Sequence, residues 1–275
     1  MRHISQVTQS MNMGFSAIFR QEVIKKYICD GCGQKVEVVK MVIPFGPLKG
    51  KEAETKRGCD CEVLKIVKEE QQEAKKARLK RIFEENSLIN PALKEATFDN
   101  FEPNEFGQAL QKAKRYVDEF DLKNPKNLFF QGSFGTGKSH LSMAIAKALR
   151  EKGYATIFIS TPKLLTKIRT TYGKESGISE EQIINALADA DLVVFDDIGA
   201  EGEISGWPIQ KLFEVIDQRA GKHNIYTTNL SSTEFEVSKD LRRIFSRMMM
   251  NAEPIIMNGT DFRKKQFLKK VKENV

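Results

Sequence analysis

The chain has 275 residues, with 44 Lys and Arg against 37 Asp and Glu, a net charge of +7 and four cysteines. That length accommodates one sizeable α/β core with a small appendage. No apolar stretch approaches the ~20 residues needed to span a bilayer, and the opening MRHISQVTQSMNMGF lacks both a secretory apolar region and a small-residue cleavage site. The reading is therefore cytoplasmic with no membrane contact, and the mild basic excess favours a polyanionic partner such as nucleic acid without requiring one.

Residues 1–26 carry Met11, Met13, Phe15, Ile18 and Phe19 and read as helical. The cysteines follow as two close pairs, Cys29/Cys32 in CDGCGQ and Cys59/Cys61 in GCDCE, with VEVVKMVIP between them reading as a strand. In a reducing compartment, such pairing points to metal rather than a disulfide. Four thiolates suit tetrahedral Zn²⁺, and Gly31, Gly33 and Gly58 allow tight turns around it; redox-inert surface cysteines are the competing reading. A closed four-cysteine site has no open coordination position, so its work would be to fold a module too small to build a core.

From Glu62 to Asn90 the chain becomes EVLKIVKEEQQEAKKARLKRIFEENSLIN, a helix former with mixed charges and sparse apolar positions, which reads as a linker helix more than a core helix. Pro91 marks the break, and a second domain opens near ATFDNFEP. The expected organisation is a zinc-binding module over 1–62, a linker helix over 63–95 and a nucleotide domain over 96–275.

Apolar NLFF, at 127–130, leads into GSFGTGKSHL at 132–141. Gly132, Gly137, Lys138 and Ser139 fit G-x-x-x-x-G-K-[ST], whose backbone amides wrap a β-phosphate while the lysine reaches the β- and γ-phosphates and the serine ligates Mg²⁺. Gly135 helps the loop turn. Leu141, Ile145 and Leu149 then recur at helical spacing, so the positive end of a helix faces the phosphate. Further apolar runs, YATIFIS at 154–160, DLVVFDD at 191–197, NIYTTN at 224–229 and EPIIMN at 253–258, alternate with helices and predict a parallel sheet covered on both faces.

DLVVFDD ends in two carboxylates. Asp196 is placed to hold Mg²⁺ and Asp197 to orient or deprotonate the water that attacks a γ-phosphate. Asn229 falls beside them if the strands are neighbours, either holding that water or closing a turn. DLRRIFSRMMMN carries Arg242, Arg243 and Arg247, the residue type suited to charge on a transferring phosphoryl group.

Taken in order, ATFDNF, GSFGTGKSHL, VVFDDIGAE, LFEVIDQR, YTTNLS, RIFSRM and NGTDFRKK resemble the AAA+ ATPase domain of the DnaC/DnaI/IstB group, the bacterial and phage helicase loaders, over about residues 96–275. The resemblance implies a five-stranded parallel P-loop domain without a lid domain, the chain ending soon after Arg263. No helix-turn-helix domain follows, unlike a DnaA-type initiator. It implies that ATP and Mg²⁺ are held by Gly132, Ser133, Phe134, Gly135, Thr136, Gly137, Lys138, Ser139 and His140 with Asp196, that Asp196 and Asp197 form the Walker B pair, and that Asn229 is sensor 1. Arg247 would be the arginine finger, completing a neighbour's site, and Arg263 the sensor 2 arginine.

The implied activity is ATP hydrolysis stimulated by DNA or a partner, and slow, because Asp197 stands where many AAA+ proteins have a glutamate one methylene longer. The implied partners are a replicative DnaB-type helicase bound by the N-terminal module, single-stranded DNA, and further copies of the chain in a spiral or ring. An IstB-type regulator of transposition, or an ATP-locked helicase-binding protein that does not load, are the alternatives. Lastly, TPKLLTKIRTTYGKESG, between the second and third strands of this domain, offers Lys163, Lys167, Arg169 and Tyr172 either to single-stranded DNA, by phosphate pairing and base stacking, or to solvent as the face of an ordinary crossover helix.

Overall fold

The computed structural model describes residues 22–83, 93–173, 177–200 and 206–273, and the chain divides into two compact units, 1–71 and 72–275. In the first unit three antiparallel strands, β1 (Glu22–Ile28), β2 (Lys35–Val42) and β3 (Glu52–Arg57), lie in that order. The predicted strand in VEVVKMVIP is β2, which buries Val36, Val38 and Val39. Residues 22–26 are strand rather than the expected helix. Their charges find cross-strand partners on β2, as in the 2.8 Å Lys26–Glu37 ion pair, which local helical spacing cannot reveal. Residues 1–21 lie outside the described residues.

Helix α1 (Cys61–Phe83) spans the division between the units. Its last turns do more than link. Leu79, Ile82 and Phe83 are buried in the core of the second unit, and Gln72 and Lys75 both hold Asp191, at 2.7 and 2.5 Å. Three apolar residues on one face form a stripe too short to stand out against the charges of the whole helix.

The second unit is built on β4 (Asn127–Gln131), β5 (Thr156–Ser160), β6 (Leu192–Ile198), β7 (His223–Thr228) and β8 (Ala252–Ile256), all parallel in the order β5-β6-β7-β4-β8. The helices are α2 (Gly107–Asp118), α3 (Lys138–Glu151), α4 (Thr161–Thr170), α5 (Glu180–Asp189), α6 (Trp207–Gln218), the short α7 (Ser232–Phe235), α8 (Lys239–Met249) and α9 (Phe262–Glu273). One face of the sheet, with Phe129, Val193 and Phe195, packs on α4, α5, α6, α8 and the end of α1. The other, with Leu128, Phe130 and Val194, packs on α2 and α3. Burial on both faces is why β4 to β7 read as continuous apolar runs, while β8, at the edge of the sheet, buries only Ile255. The expected five-stranded parallel α/β fold is the one observed, and the loops at the carboxyl ends of its strands carry the site.

Candidate nucleotide and metal sites

The turn between β4 and α3 can be made only with glycine at its bends. Gly137 has φ +95°, and a Cβ there would lie 2.6 Å from the Phe101 ring. Gly135 has φ +71°, and its Cβ would overlap the Asp261 carboxylate at 1.9 Å. The segment before α9 thus closes over the loop, and the Phe262 amide donates to Gly135 O at 3.0 Å. Of the loop residues, Phe134 is exposed, Ser133 donates its amide to Met257 O, and the Thr136 hydroxyl donates to Ser133 O. His140 meets Thr97 O at 2.8 Å through Nε2 and packs its ring 5.4 Å from that of Phe101, which ties the ATFDNF segment to the loop.

Lys138 is buried, and its Nζ donates to Gly132 O (2.9 Å), Ser133 O (2.6 Å) and Asn229 Oδ1 (2.7 Å). Burial brings its pKa down to about 8 against the pull of Asp197 and Asp196, with Arg263 adding to the fall. Asp196 is pushed up to about 6, first by burial and then by Asp197, opposed by hydrogen bonds with Thr227 and Ser139 and by Lys138. The Ser139 hydroxyl and the Asp196 carboxylate therefore already meet, two hard oxygen donors of the kind Mg²⁺ takes together with phosphate oxygens.

Thr227 was not singled out in the sequence. Its Oγ1 donates to Asp196 Oδ1 at 2.7 Å and accepts from the Asp197 amide at 2.9 Å, fixing the Asp196 carboxylate and the Asp197 backbone from the adjacent strand. The pair of threonines closing the strand before Asn229 was the available signal. Asp197 sits at φ +57°, where the pairing register of β6 on β7 shifts. The carboxyl ends of the strands thus bring together Lys138, Ser139, Asp196, Asp197 and Asn229, with Arg263 close enough to repel Lys138. Arg247 is elsewhere. It lines a cavity of about 340 Å³ with Asn127 and Asn224, near the amino ends of β4 and β7.

The buried carboxyl has a cost. Between 3.8 and about 6 the folded, ligand-free chain binds more protons at Asp196 than the unfolded chain, so this group destabilises the fold as pH rises through that window and fully above it. Asp196→Asn keeps an acceptor for Thr227 and is expected to stabilise the ligand-free protein at pH 7.5 by up to about 3 kcal/mol, while abolishing Mg²⁺-dependent hydrolysis. Thermal melts should show the gain shrinking at pH 5; a lower melting temperature than wild type at pH 7.5 would refute the account.

In the first unit the sulfurs of Cys29, Cys32, Cys59 and Cys61 lie within 4.8 Å of one another. Zn–S bonds of about 2.3 Å in a tetrahedron need sulfurs about 3.8 Å apart. Hydrogen bonds from Cys59 and from the backbone of Gly31 and Cys32 draw the Cys29 thiol down to about 7, whereas its three cysteine neighbours push Cys61 up to about 12. The thiols share protons, and four thiolates can coexist there only around a cation. The cluster can bind zinc.

On α4, Lys163 is exposed and Lys167 half-buried. The Arg169 guanidinium lies 5.0 Å over the Trp207 ring, and Tyr172 meets the same ring edge-on at 6.1 Å. Trp207 was not anticipated; as the only tryptophan in the chain it was visible, but nothing local linked it to α4.

A doubly covered parallel sheet carrying this phosphate loop and an adjacent carboxylate pair defines an AAA+ P-loop nucleotide-binding domain. More narrowly, the chain belongs to the family of IstB-like ATP-binding proteins, which it matches over residues 34–270. It is 32% identical over 197 residues to the replicative helicase loader DnaC of Escherichia coli (strain K12), covering 70% of this chain and 79% of that one. It is 30% identical over 158 residues to DnaC of Buchnera aphidicola subsp. Acyrthosiphon pisum (strain APS), covering 56% and 63% respectively. The crystal structure of the DnaC helicase loader superposes with a TM-score of 0.53 at 26% identity, over 61% of this chain and 99% of that one. The crystal structure of DnaI, at 23% identity and a TM-score of 0.52 over 63% and 93%, shares the fold. The resemblance to the DnaC/DnaI/IstB group thus holds, and the chain is an ATP-binding member of an ATPase family. Among the described residues no helix is long and apolar enough to cross a membrane.

Proposed function

We propose that the chain is a cytoplasmic, ATP-driven helicase loader, which binds a replicative DnaB-type ring helicase and places it on single-stranded DNA at the start of replication. The observation that carries this reading is the Lys138, Ser139, Asp196, Asp197, Asn229 constellation on a fold shared with a 32% identical helicase loader. Residues 1–62 are the helicase-binding, zinc-holding module, 63–95 the linker and 96–275 the ATPase. Exposed Ile24, Ile28, Phe45 and Leu48 in the first unit support a protein-binding role for it.

In hydrolysis Lys138 exchanges its carbonyl partners for phosphate oxygens, and the amides of the 132–139 loop wrap the β-phosphate. Ser139 and Asp196 would hold Mg²⁺, which would supply charge neutralisation at the β- and γ-phosphates. Asp197, positioned through its amide by Thr227, orients the attacking water with Asn229, and Arg263 contacts the phosphates from the same chain. Arg247, beside the amino ends of strands five to six residues long, is about 16 Å of strand away from its own loop and serves a neighbouring copy, so hydrolysis requires self-association in a spiral or ring. Turnover is slow, since aspartate at 197 reaches less far than glutamate, and DNA or the helicase stimulates it. Lys163, Lys167, Arg169 and Tyr172 contact single-stranded DNA, where a cation and an aromatic face side by side suit phosphate and base.

The test is affinity capture from the source organism's lysate with ATP, followed by loading of the purified helicase onto circular single-stranded DNA. Recovery of the ring helicase, with ATP-dependent stimulation of its unwinding, is expected. Recovery of a transposase would favour the alternative of an IstB-type regulator of transposition, and helicase capture without stimulation would favour a non-loading binder.

A further inference from the structure

We infer that Asp217 is a positioning residue for the Arg247 finger; this rests on the reading above that Arg247 acts on a neighbour's nucleotide. Asp217 is the penultimate residue of α6, and its Oδ1 lies 2.7 Å from Arg247 Nε on α8. Both backbones are held by the core, α6 through buried Leu212 and Ile216 and α8 through buried Ile244 and Met248. The relative placement of the two side chains is therefore imposed by packing rather than chosen at the surface.

The atom used matters. A carboxylate beside Nε leaves free the outer edge of the two terminal nitrogens, the fork that matches phosphate oxygens. The other two arginines of α8 are committed differently. Arg243 stacks 4.3 Å over the Phe213 ring and pairs with Asp240, and Arg242 faces Glu236. Beside Arg247 the cavity wall carries the exposed Lys123, Lys126 and Lys222, so the finger points from a basic surface that would accept an incoming phosphate. With its carboxylate removed, a half-exposed arginine spreads over many rotamers, and the finger would have to be ordered anew at each turnover.

The test measures ATP hydrolysis with single-stranded DNA for wild type, Asp217→Ala, Asp217→Asn, Arg247→Ala and the Asp217→Ala/Arg247→Ala double variant, with nucleotide affinity and melting temperature measured in parallel. Asp217→Ala should lower kcat about tenfold, inside the usual range for coupled neighbours, with KM and ATP affinity unchanged. Asp217→Asn, which keeps the shape of the side chain but loses the charge of the ion pair, should fall between Asp217→Ala and wild type. The double variant should be no slower than Arg247→Ala, because a positioning residue has nothing left to position. Mixing Arg247→Ala with Lys138→Ala subunits should restore activity, since the latter still carry a finger; mixing Asp217→Ala/Arg247→Ala with Lys138→Ala should restore it equally.

Wild-type hydrolysis by Arg247→Ala would overturn the finger itself and the inference with it. A slow Arg247→Ala beside an Asp217→Ala that turns over at or above the wild-type rate would overturn the inference alone and make the ion pair a restraint on the finger. A double variant much slower than Arg247→Ala, or a melting temperature that falls in step with kcat, would assign Asp217 a role in the fold instead.

Discussion

Lys138→Ala is expected to abolish measurable nucleotide binding. Of the cations on the phosphate-loop side of the sheet, Lys138 alone is buried within the loop itself. It already satisfies two loop carbonyls and Asn229, so the site is arranged around a cation whether or not phosphate is present. Charge-assisted hydrogen bonds are worth about 1.5 to 3 kcal/mol each, and the loss of two or more to phosphate weakens binding by at least about a hundredfold. Fluorescent-nucleotide titration measures this, and undiminished ATP binding would sink the assignment. The same titration on wild type has a signed pH dependence. Because burial holds the ligand-free lysine at about 8, it deprotonates as pH rises through that value, and affinity should then fall by up to about tenfold per pH unit.

Removing zinc is expected to unfold the first unit and leave the second folded. Val36, Val38 and Val39 are the only buried hydrophobic residues among the described residues of that unit. At about 1.5 to 3 kcal/mol each they fall far short of the conformational entropy of some fifty residues at about 1 to 2 kcal/mol per residue. A structural zinc site contributes about 10 to 16 kcal/mol, and here it would join the start of β2, the end of β3 and the first turn of α1 at one point. Freshly purified protein should carry one zinc per chain. Chelation should make the first 60 residues susceptible to protease while the 72–275 unit keeps its melting transition. Less than half an equivalent of metal, or a first unit that resists protease without it, would contradict this.

The sequence alone was enough for everything that depends on neighbours along the chain. The phosphate loop, the apolar strands around it, the carboxylate pair ending β6 and the paired cysteines are each contained within ten or so residues, where spacing and chemistry coincide. A strand buried on both faces has no polar alternation to obscure it, which is why β4 to β7 were legible; β8 was legible through the isoleucine pair of EPIIMN, although only Ile255 of that pair is buried. What depends on which strand lies beside which was not. Only the order β5-β6-β7-β4-β8 puts Thr227 between Asp196 and Asp197, 31 and 30 residues away, and Asn229 on Lys138, 91 residues away. Likewise, β1 became a strand because β2 offered opposite charges, and the last turns of α1 became core because the sheet offered a face for Leu79, Ile82 and Phe83. The pairing of Arg247 with Asp217 required two helices to pack side by side over buried residues that say nothing of charge. Local pattern specifies which groups are available and what each can do; the packing of distant elements decides which of them meet, because burial energy is indifferent to sequence distance.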